Sequence, residues 1–264
     1  MTLASLKGKT ALVTGASSGL GADFARHLAA AGCHLVLTAR REAQLQAMKD
    51  ELTAAHGVEV LLVPQDLSAP DAPEKLLAAI TAAGKQVDVL INNAGYGAYG
   101  QFLEIPWEKE HQMLELDIVA LVHLTKLFAA PMVARGQGYI LQVASIGAFQ
   151  PSPLYASYSA AKAFVLSYGN AINYELRGTG VSCTVLSPGV TATEFLQVSG
   201  QKPTTYQRLM MMTSPEVTRA GLEAMVRRRM GIVPGFLNRL MAVSGKASPA
   251  WLATMLAYRV MKQP

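Results

Sequence analysis

TALVTGASSGLGADFARHLAA, residues 10–30, is the stretch from which the fold follows. An apolar run, TALVTG (10–15), turns on glycine and continues as a helical segment from about Leu20 to Ala31. The same rhythm recurs downstream. HLVLTA (34–39) precedes a helix from about Glu42 to Ala55, and VEVLLVPQD (58–66) precedes PDAPEKLLAAITAAG. VDVLINNAG (87–95) precedes a long helix from about Trp107 to Ala134. GYILQVAS (138–145) precedes one from about Tyr155 to Arg177. VSCTVLSPG (181–189) is a sixth strand and MGIVPG (230–235) a candidate seventh. Continuous apolar strands alternating with helices predict a parallel sheet covered on both faces. The expected fold is therefore α/β, a single doubly wound Rossmann-like domain of about seven strands spanning residues 1–264. Residues 191–229 break the rhythm and are expected to form a substrate-lid insertion between the sixth and seventh strands.

Composition agrees with a globular chain: 51 % of the 264 residues are apolar and 16 % charged. No apolar run reaches the roughly 18–20 residues of a membrane span, and MTLASLKGKT has no secretory core. Cys33 and Cys183 lack metal-ligand spacing and sit in strand-like runs. They read as buried free thiols of a cytoplasmic protein, and no metal is expected. After Glu223 there are seven basic residues and no acidic one, which leaves the rest of the chain near −2 of the net +5. No recognition motif accompanies that charge, so nucleic acid is not an expected partner. The bland reading is a solvated C-terminal face.

TGASSGLG (14–21) sets Gly15, Gly19 and Gly21 at the first strand-to-helix turn, with Ser17, Ser18 and Leu20 among them. Glycine lets the backbone approach a pyrophosphate, and the helix start offers free N–H groups and a positive dipole. The second strand ends in Ala39, Arg40 and Arg41, where an acidic residue would bind the adenine ribose of NAD. A guanidinium suits the 2′-phosphate of NADP, so NADP(H) and Arg40 are the expectation; Arg41 either joins it or merely starts a surface helix. Asp66, with Leu67, either accepts from the adenine amino group or caps the next turn. Asn93, Ala94 and Gly95 leave room for a ligand at the end of the fourth strand, while Asn92 ties strands together.

TGASSGLG, NNAG (92–95), the serine of VAS (143–145), YSAAK (158–162) and SPG (187–189) occur in this order over roughly residues 6–235. Together they resemble the short-chain dehydrogenase/reductase family. The resemblance implies an oxidoreductase that moves a hydride between NADP(H) and a carbonyl or alcohol substrate, with Tyr158 as general acid/base. Lys162, one helical turn on, would lower the phenol's ordinary pKa of about 10 and hold the nicotinamide ribose. Ser145 would hold the substrate oxygen. Pro188, Gly189, Val190, Thr191 and Thr193 would shape the nicotinamide pocket, although Thr193 could instead cap a helix ahead of Glu194. Tyr155 lacks a lysine at i+4 and reads as a pocket or packing residue. Tyr258 and Lys262 repeat the spacing but follow no serine-ended strand, so they read as a surface pair on a terminal helix capped by Ser248 with Pro249 first. The family's helix after NNAG usually carries an asparagine where LELDIVAL has Asp117. Asp117 is taken as a site residue that either keeps the asparagine's role or weakens turnover. The alternative function is thus a catalytically weak dinucleotide-binding sensor or scaffold.

The insertion carries Met210, Met211 and Met212, which suggest either an adaptable apolar substrate pocket or a local core. A steroid, a fatty aldehyde, a keto ester or a small alicyclic alcohol would all fit. The tail at 236–264 mixes apolar and basic residues; packing on the domain or a second subunit is the simpler reading, and peripheral membrane contact the other. The family resemblance implies a homo-dimer or homo-tetramer.

Overall fold

A computed structural model describes residues 2–202 and 204–262. Seven strands form one parallel sheet: β1 (Thr10–Thr14), β2 (His34–Thr38), β3 (Val60–Leu62), β4 (Val89–Asn92), β5 (Gly138–Val143), β6 (Val181–Leu186) and, last in the chain, β9 (Gly231–Ile232). Their order across the sheet is β3-β2-β1-β4-β5-β6-β9, so the chain reverses direction between β1 and β4. Two further strands, β7 (Thr191–Ala192) and β8 (Met212–Thr213), pair outside it.

Alternation along each strand supplies both faces. Val13, Ile91, Leu141 and Leu186 pack with Phe24 and Leu28 of α1 (Gly19–Ala30) and Leu45 and Leu52 of α2 (Glu42–His56). Leu12, Leu90, Ile140 and Cys183 pack on the opposite face with Leu76 and Ile80 of α3 (Ala72–Ala82). Leu124, Phe128 and Met132 complete that layer. A parallel sheet buried on both sides explains why the strands read as continuous apolar runs.

The long helix after β4 has an internal change of pitch. It is α-helical over α4 (Trp107–Leu114), π-helical over Glu115–Ala120 and α-helical again over α5 (Leu121–Ala134). The helix over residues 107–134 is long enough to cross a membrane, and an 18-residue window within it has a mean hydropathy of 1.6. Charged residues and histidines interrupt the run, so it does not stand out in sequence. Leu121, Leu124 and Phe128 are buried in the core. α6 (Ala156–Glu175) follows β5, with Tyr155 at its N-cap position.

The insertion is shorter than expected. Residues 191–213 hold β7, α7 (Phe195–Ser199), α8 (Thr205–Met210) and β8. From there, α9 (Ser214–Val226) is the crossover helix that feeds β9, and its Val217, Leu222, Met225 and Val226 are in the core. It starts where Ser214-Pro215-Glu216 reads as a helix start, and Thr213 and Glu216 form a capping box there. The tail forms α10 (Phe236–Ala247) and α11 (Ala250–Met261). Pro249, not Ser248, holds the cap position of α11.

Candidate active site

The carboxyl ends of β1, β4, β5 and β6 open on one cleft of about 420 Å³. It lies where strand order reverses, the place open α/β sheets offer a ligand. Every expected site residue except Gly21 and Asp117 lines it.

On one side the cleft meets the start of α1. Gly15 and Gly19 have φ of +67° and +53°, which side chains disfavour. Gly21 is needed for a different reason: a Cβ there would lie 2.1 Å from the carbonyl oxygen of Gly15. Ser18 holds the N-cap position but makes no capping hydrogen bond, so the first N–H groups of α1 face the cleft unclaimed. Asn93 ties the floor together: its amide nitrogen donates to the Thr14 carbonyl at 2.9 Å. Asn92 has the structural role, donating to Thr125 and Gln142 beneath the site.

At the end of β2 both arginines reach the cleft. Arg40 is exposed and stands 4.0 Å from Asp66. Arg41 bridges the two walls, donating to Ser17 at 3.2 Å and to Glu194 at 3.1 Å. Hydrogen bonds from Ser18 and then Arg41 hold the Glu194 carboxyl below its usual range. Arg41 therefore lines the cleft as well as starting α2, a reach across the groove that local sequence does not reveal. Asp66 caps its own turn, accepting from the backbone and hydroxyl of Ser68. The glycine turn and the unclaimed N–H groups fit the pyrophosphate of a dinucleotide, and two guanidinium groups stand at the end of β2 beside it.

On the other side, Ser145, Tyr158 and Lys162 converge. Ser145 follows β5, and its oxygen accepts from the Gly147 amide at 3.1 Å and hydrogen-bonds the Tyr158 hydroxyl. The Lys162 ammonium lies 5.6 Å from the Tyr158 ring centre and donates to the Val143 carbonyl. It also pairs with Asp117 at 2.9 Å, with both side chains buried. Asp117 thus reaches the site from behind, through Lys162, and also accepts from the Tyr96 amide at 3.2 Å. Burial first, offset by Lys162, leaves its carboxyl above the usual range.

The pair corrects one expectation. Tyr158 is not lowered: burial first and the Asp117 charge second raise its pKa, against a smaller opposite effect of the Ser145 hydrogen bond. The physical reason is burial of the phenol, which penalises its anion, with the Asp117 charge adding to it.

The substrate side is walled by Tyr155, Phe195, Leu196, Val198, Met241 and Met261. Tyr155 and Phe195 rings lie 5.7 and 5.2 Å from that of Tyr158. The Tyr155 hydroxyl is 2.8 Å from Ser199 and 2.9 Å from Gln201, which makes it a pocket wall held by the lid. Met210, Met211 and Met212 are not in this wall. Met212 packs on the core and against Asn238 instead. Pro188 accepts from the Ile146 amide, and Thr191 donates to the Gly189 carbonyl, which shapes the loop after β6. Thr193 accepts from the Phe195 amide at 3.3 Å, so it also braces α7. Tyr258 and Lys262 form a pair on α11, away from the cleft. Cys33 and Cys183 are buried free thiols, each pushed up to about 12 by burial. Among the described residues no cluster suits a metal.

A family profile described as short chain dehydrogenase matches residues 9–204. A 7beta-hydroxysteroid dehydrogenase of Collinsella aerofaciens is 32 % identical over 200 residues, 74 % of either chain. A solved structure concerned with 7beta-hydroxysteroid dehydrogenase stereoselectivity superposes with a TM-score of 0.87 at 26 % identity, covering 97 % of this chain and 99 % of that one. A short-chain dehydrogenase from Sphingobium yanoikuyae, solved with NADPH, gives 0.81 at 31 % identity over 90 % and 93 %.

Proposed function

The chain belongs to the short-chain dehydrogenase/reductase family of oxidoreductases, and from that premise we propose that it is an NADP(H)-dependent reductase of carbonyl groups carried on bulky apolar molecules. One observation carries the reading: Ser145, Tyr158 and Lys162 converge at the apolar end of a cleft whose other end is a dinucleotide cradle.

The dinucleotide supplies the hydride, and the chain's own groups do the rest. Ser145 orients the carbonyl oxygen by a hydrogen bond. Tyr158, already hydrogen-bonded to Ser145, donates its hydroxyl proton to that oxygen as charge develops there. Lys162 steadies the phenolate that remains. The phenol is protonated over the whole neutral range, as reduction requires. Phe195, Leu196 and the methionines exclude water from the reacting carbon. Arg40 and Arg41, with alanine rather than an acid at position 39, support NADP(H). The hydroxysteroid relative supports a bulky substrate. A homo-oligomer through α5 and α6 belongs to the same reading, supported by the exposed Val133, Phe164 and Tyr174. Light scattering tests it.

The deciding assay is NADPH and NADH oxidation across ketones, aldehydes and quinones, with Tyr158→Phe as control. Turnover with NADPH that vanishes in the variant supports the reading. Asp117 favours a second reading, because its charge opposes the tyrosinate. Tight NADPH binding without turnover on any carbonyl would turn the assignment toward a dinucleotide sensor.

A further inference from the structure

The last helix of the chain closes the substrate pocket, though nothing in its own sequence resembles a lid. Helix α11 ends at Met261, whose carbonyl has no partner within the helix. Tyr99 and the pocket residue Gln201 supply two. The Tyr99 hydroxyl donates to it at 3.0 Å and the Gln201 amide at 3.2 Å. Gln207 completes the link, donating to Gln201 at 3.0 Å and reaching the Met261 sulfur at 3.5 Å. The same Gln201 oxygen lies 2.9 Å from the Tyr155 hydroxyl, and the Tyr155 ring is 5.7 Å from that of Tyr158. Helix α11 is thus connected through one polar network to Tyr155, whose ring packs beside the proton donor.

The two tail helices are held differently. α10 is pressed onto the site: a Cβ at Gly189 would meet Asn238 at 2.4 Å, and one at Gly245 would meet Gln150 at 2.6 Å. α11 hangs from it by only Ser248 and Pro249. It buries just Ala253 and Ala257, while Trp251 is 70 % exposed. So little buried apolar area places α11 at the weakly held end of the molecule's local stabilities.

We propose that α11 is a hinged wall of the substrate pocket, latched by Tyr99 and Gln201 onto the Met261 carbonyl, and that Met261 sets how bulky an apolar carbonyl compound the site admits. This rests on the reductase reading for its substrate but not for its latch, and the two are tested apart.

Amide hydrogen exchange on the NADPH complex reads the latch without turnover. Tyr99→Phe keeps the ring and removes one hydrogen bond, so exchange in 250–262 should rise about fivefold while α6 is unchanged. Unaltered exchange in 250–262 overturns the latch. The specificity claim is read with cyclohexanone, a decalone and a steroid ketone. Met261→Ala should raise kcat/KM for the steroid ketone relative to cyclohexanone about tenfold, and Met261→Trp should lower that ratio. A uniform change across the three ketones overturns the claim for Met261. If the wild-type protein reduces none of them and Tyr158→Phe binds NADPH as well as wild type, the reductase reading falls. The exchange measurement then decides the latch alone.

Discussion

Replacing Asp117 by asparagine should move the pH profile of the reaction in a stated direction. Asparagine keeps one oxygen, enough for either the Tyr96 amide or Lys162 but not both, and removes the charge. The carboxylate stands 2.9 Å from the Lys162 ammonium, which is 5.6 Å from the Tyr158 ring centre, so charge and ring are at most about 8.5 Å apart. At an effective dielectric of about 20, a charge at that range is worth about 2 kcal/mol, or about 1.4 pH units. The sign follows from the chemistry. Losing the phenol proton creates an anion, a neighbouring carboxylate opposes it, and Asp117 therefore raises the Tyr158 pKa. Without the charge the pKa falls. Ketone reduction needs the protonated phenol, so its alkaline limb should move to lower pH by about 1.4 units. Alcohol oxidation needs the phenolate, so its acid limb moves down equally, and its rate at neutral pH rises by up to about 25-fold. The assay is kcat/KM against pH in both directions for wild type and Asp117→Asn. An alkaline limb that stays in place or moves up refutes the reasoning. The variant also leaves a buried ammonium without its counter-charge, at a cost near the lower end of about 3–5 kcal/mol. Its melting temperature should fall by several degrees, and urea unfolding measures that separately.

Four further outcomes follow from the geometry. Tyr158→Phe should abolish carbonyl reduction while NADPH binding, followed by fluorescence, stays within about twofold of wild type. Arg40→Ala and Arg41→Ala should each weaken NADPH binding by at least about tenfold and NADH binding little, because the lost partner is the 2′-phosphate; equal losses for both cofactors, by calorimetry, would count against NADP. Gly21→Ala forces a Cβ to within 2.1 Å of the Gly15 carbonyl, so it should both lower the melting temperature and weaken dinucleotide binding, with circular dichroism and NADPH titration as the checks. Maleimide should label Cys33 and Cys183 in the folded protein orders of magnitude more slowly than in urea, since both thiols are buried with pKa near 12.

The parts legible in sequence are those with local causes. The strands announce themselves because both faces of the sheet are covered, and TGASSGLG is legible because its glycines serve a turn within eight residues. Ser145, Tyr158 and Lys162 are legible because strand ends and helix faces fix where they point. What escaped has its cause elsewhere in the chain. Arg41 became a site residue through Glu194, a partner 153 positions away. Met261 entered the pocket through Tyr99, 162 positions away. The methionine triplet left pocket and core both open because flexible apolar residues look alike in either. The direction of the Tyr158 shift depends on burial and then on Asp117, both set by tertiary structure rather than by the YSAAK run.

The π-helical turn at Glu115–Ala120 governs the phase of everything after it. A π turn takes roughly one residue more than an α turn, and one residue is about 100° of rotation on an α-helix. With the extra residue, Met113 on one side and Leu121, Leu124 and Phe128 on the other share the buried side, and Asp117 faces inward between them. Deleting a single residue from this segment would restore regular pitch and turn one half of the helix out of step with the other. Either the acid would swing away from Lys162 or the leucines would leave the core. The position of the acid at the site and the seating of a 28-residue helix are therefore geared together.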